Sequence, residues 1–275
     1  MKAKKRIECI LKEISEVSNS YHEKQNLVLL DVGTDHGMVA YDAIKNGFVG
    51  RVICSDISKK SLEKAVNVFK IDGNFDKNAD FRVGDGLHVI GQNEKIDICV
   101  IAGMGSHEIV KILLESKNKI DNVKFFIFQT ATDDESLVSV LNKLGFDFLF
   151  DKFIFDAGHV YRTITVCKFT NCTRQSGVPC DKLHNRKMIG EEELKNLNID
   201  PIHFGKDNLV CHSSQHILAL EKKREQIQRL NNVLKSAITK MKIDGTLNKD
   251  YIDYVESRIK LEAMIDKIIE WCQRL

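Results

Sequence analysis

Three aspartates stand where runs of apolar residues end. Leu27–Leu30 runs into Asp31, Arg51–Ser55 into Asp56, and Ala79–Val83 into Asp85 by way of Gly84. Each run reads as a strand of a parallel sheet, apolar and bounded by turn residues. In an open α/β sheet the carboxyl ends of neighbouring strands face one crevice, and ligands bind there. Three carboxylates in that crevice suit a ligand with a cationic group, a ribose diol and an exocyclic amine. Asp56 is placed to accept hydrogen bonds from ribose hydroxyls, with capping of the strand end as the alternative. Asp85 could accept from an adenine amino group or serve a tight turn. Asp31 lies under the turn Gly33-Thr34-Asp35-His36-Gly37, where it anchors the loop or meets an ammonium group through water.

Phosphate chemistry is not written here. The chain has no GxxxxGK[ST] run and no strict GxGxxG, which argues against a nucleoside triphosphate or a dinucleotide as ligand and against an NAD-dependent oxidoreductase. S-adenosylmethionine has the inventory that the three carboxylates call for. The eight cysteines form no C-x-x-C pair. Cys54 and Cys99 fall within strand-like runs, where cysteine acts as a small hydrophobe. The pattern fits free thiols of a reducing cytosol. Cys172, Cys180, His184, Cys211 and His212 match no compact zinc spacing, so no metal site is expected.

The elements that would hold these residues alternate regularly. After the first glycine turn, Met38–Asn46 reads as a helix. Ser58 caps a helix through Phe69 that turns Leu62, Ala65, Val66 and Phe69 inward. Ile96–Ser106 is a fourth strand breaking into a second glycine turn, Asn122–Gln129 a fifth strand, and Asp133–Leu144 a helix. Asp147–Phe155 and Val160–Cys167 pair about a hairpin turn, Asp156-Ala157-Gly158-His159. Ahead of them all, Ile7, Ile10, Leu11, Ile14 and Val17 mark an amphipathic helix rather than a signal peptide, because charges interrupt it. The expectation is an α/β domain over residues 1–168, its sheet mostly parallel with an antiparallel edge strand.

Composition changes near residue 169. Residues 169–212 are polar, contain both prolines and read as a connector, with Glu191–Leu197 as one or two helical turns. Over 213–275 the helical period returns in two stretches, broken at Asp244-Gly245-Thr246, and predicts an antiparallel helical hairpin with a coiled-coil-like seam. With 275 residues, 43% hydrophobic and 29% charged, the chain can bury a sizeable core, and no apolar run is long enough to cross a membrane. The formal net charge of +2 leaves nucleic acid open, since the distribution of charge decides. Seven Lys or Arg against two Glu lie between Ser213 and Lys242. Lys222, Lys223, Arg224 and Arg229 could contact phosphates, or form a solvated helix face. Lys2, Lys4, Lys5 and Arg6 make a second basic cluster.

The blocks DVGTDHG at Asp31–Gly37, GDGL at Gly84–Leu87 and IAGMG at Ile101–Gly105 resemble those of the bacterial TrmK family, tRNA (adenine(22)-N1)-methyltransferases. The likeness covers roughly residues 4–168 and extends loosely into the C-terminal helices. It implies a Rossmann-like class I methyltransferase domain that holds S-adenosyl-L-methionine, then a coiled-coil domain that helps grip tRNA, in a cytoplasmic enzyme with no membrane contact and no obligatory protein partner. Carried over, the cofactor site is Asp31, Gly33, Asp35, Asp56, Asp85 and Gly86, with Ala102, Gly103 and Met104 near the methyl group; for Met104, packing at its strand end is the alternative. The reaction implied is in-line attack of adenine N1 on the methyl group, with the base withdrawn from its stack. The methylated base is cationic until N6 loses a proton, and Asp35 and His36 are the candidates to take it; for His36 a hydrogen-bonding role within the turn is the alternative. The chain departs from the family at Thr130-Ala131, where a proline normally follows the glutamine of the fifth strand in a loop bordering the base pocket, and in the 169–212 connector. A methyltransferase for another RNA or a small molecule is the nearest rival. Against an exocyclic amine as acceptor, IAGMG stands where amino-directed enzymes carry [ND]PP[YF]. A catalytically inactive fold that binds RNA is the rival from another class.

Overall fold

The computed structural model describes residues 5–73, 75–131, 134–168 and 214–274. The expectations on Lys2, Lys4, the 169–212 connector and the Cys172–His212 group lie outside those residues. Among the described residues the chain divides into two units, one of residues 5–152 and 161–168, the other of 153–160 and 214–274.

The first unit is a seven-stranded sheet between two layers of helices. In chain order it comprises α1 (Lys5–Ser18), β1 (Val28–Val32), α2 (Met38–Lys45), β2 (Arg51–Asp56), α3 (Lys59–Asp72), β3 (Ala79–Val83), β4 (Ile96–Ala102), α4 (Ser106–Glu115), α5 (Lys117–Ile120), β5 (Val123–Thr130), α6 (Asp134–Lys143), β6 (Asp147–Asp156) and β7 (His159–Cys167). The strand order is β3-β2-β1-β4-β5-β7-β6, with β1 to β5 parallel and β7 antiparallel to β5. The antiparallel strand is thus one place in from the margin, and β6 forms the edge. This is the class I Rossmann-like arrangement that the sequence called for.

The alternation of side chains along each strand builds two cores. Leu29, Val52, Ile98, Val100, Phe125 and Ile127 point to one face, covered by α1, α2 and α3 through residues such as Ile10, Ile14, Ala40 and Phe69. Leu30, Ile53, Cys99, Ile101, Phe126 and Phe128 point to the other, covered by α4 and α6 through Ile109, Leu113, Leu137 and Leu141. Both faces of β1, β4 and β5 are therefore apolar, which is why those strands read as continuous hydrophobic runs. The cap expected of Ser58 is made: its hydroxyl accepts from the Ser61 N–H at 3.3 Å. Helix α1 buries the expected Ile10, Ile14 and Val17, but also Glu13, 1% exposed, which pairs with Lys152 and accepts from Thr165 Oγ1. Across the hairpin, Arg162 donates twice to Asp151, and both side chains are buried.

The second unit holds α7 (Ser214–Ile243) and α8 (Lys249–Arg274) with the tip of the β6–β7 hairpin. Its core is the expected seam, Ala219, Leu220 and Ile227 against Leu261, Ile265, Ile268 and Ile269, to which the tip adds Phe153 and Val160. Asn231 is wholly buried in that seam, and its amide donates to Glu262 Oε2 at 2.6 Å and to the Arg258 carbonyl at 3.3 Å. A buried side chain whose Nδ2 finds two acceptors across an otherwise apolar seam favours one register, because sliding would strand that donor.

Candidate cofactor and acceptor site

Strand β1 lies between β2 and β4, and the chain leaves it toward β2 and β3 on one side and returns to β4 and β5 on the other. The strand order reverses there, so the loops after β1 and β4 part and open a crevice at their carboxyl ends. The first of those loops is pinned. The N–H groups of Gly33 and Thr34 both donate to the Ser55 carbonyl of β2, at 2.8 and 3.0 Å. Gly33 takes φ +70°, which strains any side chain, and a Cβ there would overlap the Met104 methyl group, so that thioether would have to swing away. Beneath it, Asp31 is 5% exposed and accepts from the Thr34 hydroxyl at 2.6 Å. Burial raises its pKa from 3.8 to about 6, against the lowering effect of its hydrogen bonds. Asp31 therefore anchors the loop from below and also stores a charge that a nearby cation would stabilise.

Asp56 ends β2 half-buried, with one carboxylate oxygen accepting from the Ser58 N–H at 2.7 Å. Its carbonyl receives the Gly84 N–H at 3.0 Å, and in register it faces Val83, so the ends of β2 and β3 are locked together. Asp85 follows on the β3 side. Its carbonyl accepts from the His88 N–H at 3.1 Å and opens a single helical turn, Gly86–Val89, while its carboxylate caps nothing and faces solvent. Gly86 is buried, with Ile112 directly above its α-carbon. Two residues that the sequence reading passed over belong here. Ile57, 73% exposed, and Val83, 58% exposed, are large apolar side chains in water beside Asp56. Two hydrophobes left uncovered at the mouth of a cleft make a surface for a flat apolar ring. The signal was present in the sequence as an isoleucine directly after the strand-ending aspartate.

The second loop follows β4. Ala102 is half-buried, Gly103 is exposed at φ +76°, and Met104 reaches back over Gly33, so the two glycine turns are in contact through one thioether. Met104 packs at its strand end in this way. Asp35 and His36 sit on the rim of the first loop. Asp35 has φ +45°, a left-handed conformation uncommon outside glycine and found at functional turns. Its carboxylate meets Lys64 of α3 at 3.1 Å and His36 Nε2 at 3.5 Å, and both side chains of the Asp35–His36 pair are more than half exposed. Lys64 was not foreseen: only the fold carries α3 past the turn.

Gln129 of β5 is opposite Ala102 in register, yet it does not face the crevice. It is 1% exposed and donates to the Arg6 carbonyl of α1 at 3.0 Å and to Thr163 Oγ1 at 2.9 Å. The sequence expectation placed its loop at a base pocket; the side chain itself is a tie between α1 and β7. Among the described residues no group of three His, Cys, Asp or Glu is arranged for a metal ion. Cys9, Cys54, Cys99 and Cys167 are free, and burial raises the Cys9 thiol to about 11 and those of Cys54 and Cys99 as well, which keeps them protonated.

The basic residues singled out on the C-terminal helices all belong to the other unit, on α7. Lys222 pairs with Glu225 at 2.7 Å, Lys223 lies over the Phe153 ring at 5.2 Å, and Arg224 reaches Asp266 of α8 at 3.1 Å. Arg229 is exposed. Three of the four are thus engaged within the hairpin, an arrangement that a solvated helix face also produces.

The crevice fits the cofactor that the carboxylates suggested. A half-buried acid, an exposed acid, bare apolar side chains between them and a glycine turn of left-handed backbone are a set that a nucleoside bearing a cationic chain would match. Comparison with known proteins agrees. A family model for a methyltransferase domain matches residues 7–164. A provisionally named tRNA methyltransferase of Mycoplasma pneumoniae is 26% identical over 161 residues, 57% of this chain and 71% of that protein. Two solved structures share the fold. A Streptococcus pneumoniae protein, provisionally a tRNA (m1A22) methyltransferase and solved with S-adenosyl-L-methionine, superposes with TM-score 0.66 at 18% identity, over 96% of this chain and 98% of that one. The Bacillus subtilis m1A22 tRNA methyltransferase TrmK superposes with TM-score 0.66 at 16% identity, over 98% and 99%.

Proposed function

The chain belongs to the methyltransferase-domain family, and on that premise we propose that it transfers a methyl group from S-adenosyl-L-methionine to N1 of an adenosine in tRNA, position 22 by its likeness to the TrmK enzymes. The observation that carries this reading is the pair of touching glycine turns at the switch point, flanked by strand-ending acids and the bare side chains of Ile57 and Val83. That arrangement suits a nucleoside cofactor on the β1–β3 side and leaves the β4 side for an acceptor.

When bound, the cofactor supplies an electrophilic methyl group on a positively charged sulfur. The chain supplies placement. Asp56 is assigned the ribose hydroxyls, because its second carboxylate oxygen has no hydrogen bond among the described residues. Asp85 is assigned the adenine amino group, and Ile57 and Val83 the faces of the ring. Asp31 is assigned the electrostatic pull on the cationic chain, exerted from beneath Gly33. Ala102, Gly103 and Met104 line the approach to the methyl group. Gly103 carries no side chain there, so a base drawn out of its stack can come close. With the cofactor bound, these residues would hold N1 in line with the carbon–sulfur bond, so that the methyl group could pass to N1 and the thioether leave; that alignment would supply most of the acceleration. Asp35 and His36 stand at the rim, 3.5 Å apart, with Lys64 donating to Asp35, and are assigned the N6 proton as it leaves. Lys222, Lys223, Arg224 and Arg229 remain the assigned tRNA contacts of the helical hairpin. A tRNA substrate and a set of free thiols together favour the cytoplasm.

The test is nucleoside mass spectrometry after incubating the protein with S-adenosyl-L-methionine and tRNA that lacks the modification. The expected product is N1-methyladenosine, absent with Asp56→Ala. A different methylated nucleoside would keep the cofactor and change the acceptor. Cofactor binding without any methylated nucleoside would turn the reading toward an inactive RNA-binding fold.

A further inference from the structure

One cation stands beside the turn that follows β4, Arg6 of α1. Arg6 lies in the first turn of α1, and its backbone is fixed from across the sheet, since Gln129 at the end of β5 donates to its carbonyl. Its side chain runs over the Tyr161 ring, with the guanidinium carbon 5.5 Å from the ring centre. From that platform Nη1 ends 3.8 Å from where a Cβ on Gly103 would sit. Among the described residues, nothing else outside Gly103's own chain neighbours comes within 4 Å of that point. The face of Gly103 is therefore open, and a guanidinium stands at its rim.

The cofactor's one negative group, the carboxylate of its amino-acid chain, goes with that chain to the β1 side in the proposed reading, so a positive group over Gly103 falls to the acceptor side. It suits the other reactant. A nucleic acid strand carries one phosphate per nucleotide, and a planar guanidinium with five fixed donors matches phosphate oxygens two at a time. Resting on the reading of the chain as an RNA methyltransferase, the geometry points to Arg6 as the contact for a backbone phosphate of the acceptor RNA, beside the nucleotide that enters over Gly103, with Gln129 as its positioning residue. The tie explains why a wholly buried glutamine sits at the end of β5: it sets the height of α1 above the turn. The Tyr161 ring holds the side chain extended, so less freedom is lost when the phosphate binds.

The experiment measures binding of unmethylated tRNA to the full chain across a range of salt, for the wild type, Arg6→Ala and Arg6→Lys, with S-adenosyl-L-methionine affinity by calorimetry in parallel. Arg6→Ala is expected to weaken tRNA binding about 10-fold at low salt. It should also reduce the slope of log affinity against log salt by about 0.7 to 0.9, the signature of one lost phosphate. Arg6→Lys should recover the slope but only part of the affinity, because the charge returns and the fork does not. Cofactor affinity should be the same in all three. A wild-type slope in Arg6→Ala, or Arg6→Lys no better than Arg6→Ala, overturns the assignment, and so does a parallel loss of cofactor affinity. A wild type that binds tRNA without methylating it refutes the reaction, and the slopes still decide Arg6. A wild type that binds no tRNA overturns both.

Discussion

The two sides of the crevice are built on different plans. On the proposed cofactor side, each assigned residue sits at the end of its own strand or within the next few positions: Asp31 and Gly33 at the end of β1, Asp56 and Ile57 at the end of β2, Asp85 and Gly86 after β3. Hydrogen bonds between adjacent turns, such as those from Gly33 and Thr34 to Ser55, then lock them together. On the acceptor side, the turn after β4 is bordered by Arg6, held by Gln129, held in turn by Thr163. Those three residues come from α1, β5 and β7, and the Arg6–Gln129 bond spans 123 positions. The lesson is that a cofactor site can be assembled by local turn chemistry, whereas the acceptor site depends on the finished sheet and the helix packed across it.

If that contrast is sound, damage on one side should leave the other working. The largest effect is expected from Asp56→Ala, which removes a charged acceptor and should weaken S-adenosyl-L-methionine binding about 100-fold. Asp56→Asn, which can still accept from the Ser58 N–H, should lose nearer 10-fold. Calorimetry reads both, and unchanged tRNA affinity would sharpen the comparison. Next comes Gln129→Ala, which removes one hydrogen bond from the partly buried Arg6 carbonyl and one from the buried Thr163 hydroxyl. A stability loss of about 1–3 kcal/mol by denaturant titration is expected, with tRNA turnover reduced and cofactor affinity intact. A matching fall in cofactor affinity would break the comparison, because the two sides would then share a foundation.

Gly33→Ala should cost about 1–2 kcal/mol from its left-handed backbone alone, together with the overlap on Met104. The double variant with Met104→Ala removes the overlap but leaves the backbone term. Its melting temperature should therefore recover only in part.

A pH dependence follows from Asp31. Asp31 has its folded pKa raised to about 6 from 3.8, so the folded chain binds the extra proton between those values. Its contribution to stability is fully present below about 3.8 and is lost as pH rises toward about 6. Asp31→Asn should flatten that stretch of the stability profile. A bound cation favours the ionised carboxylate, so cofactor binding near pH 6 should release up to one proton, visible as a buffer-dependent heat. No dependence on buffer would mean that Asp31 serves the loop alone.

Much of this was legible from the chain alone, for a definite reason. The strands of the first unit are buried on both faces, so β1, β4 and β5 stood out as apolar runs. The Ser58 cap, the two glycine turns and the strand-ending acids are short-range features, and the helical period around Ile227 and Ile265 is as well. Other residues were invisible because they violate local expectation. Glu13 lies on the apolar face of α1, where a charged residue costs free energy unless a partner is supplied, and the partner is Lys152 from β6. Lys64 reads as an ordinary exposed helix residue until α3 is laid beside the Asp35 turn. The tip of the β6–β7 hairpin offered only a turn signature, yet Phe153 and Val160 complete the core of the helical unit.

By itself, then, the sequence determined the order and type of the elements, the two glycine turns and the acids at the strand ends, because periodicity and turn chemistry act over a few residues. Only the tertiary structure decided what stands over Gly103, which way Gln129 faces and what Asp35 is paired with. Those outcomes depend on segments that meet after the sheet has formed, and no local pattern encodes a meeting of that kind.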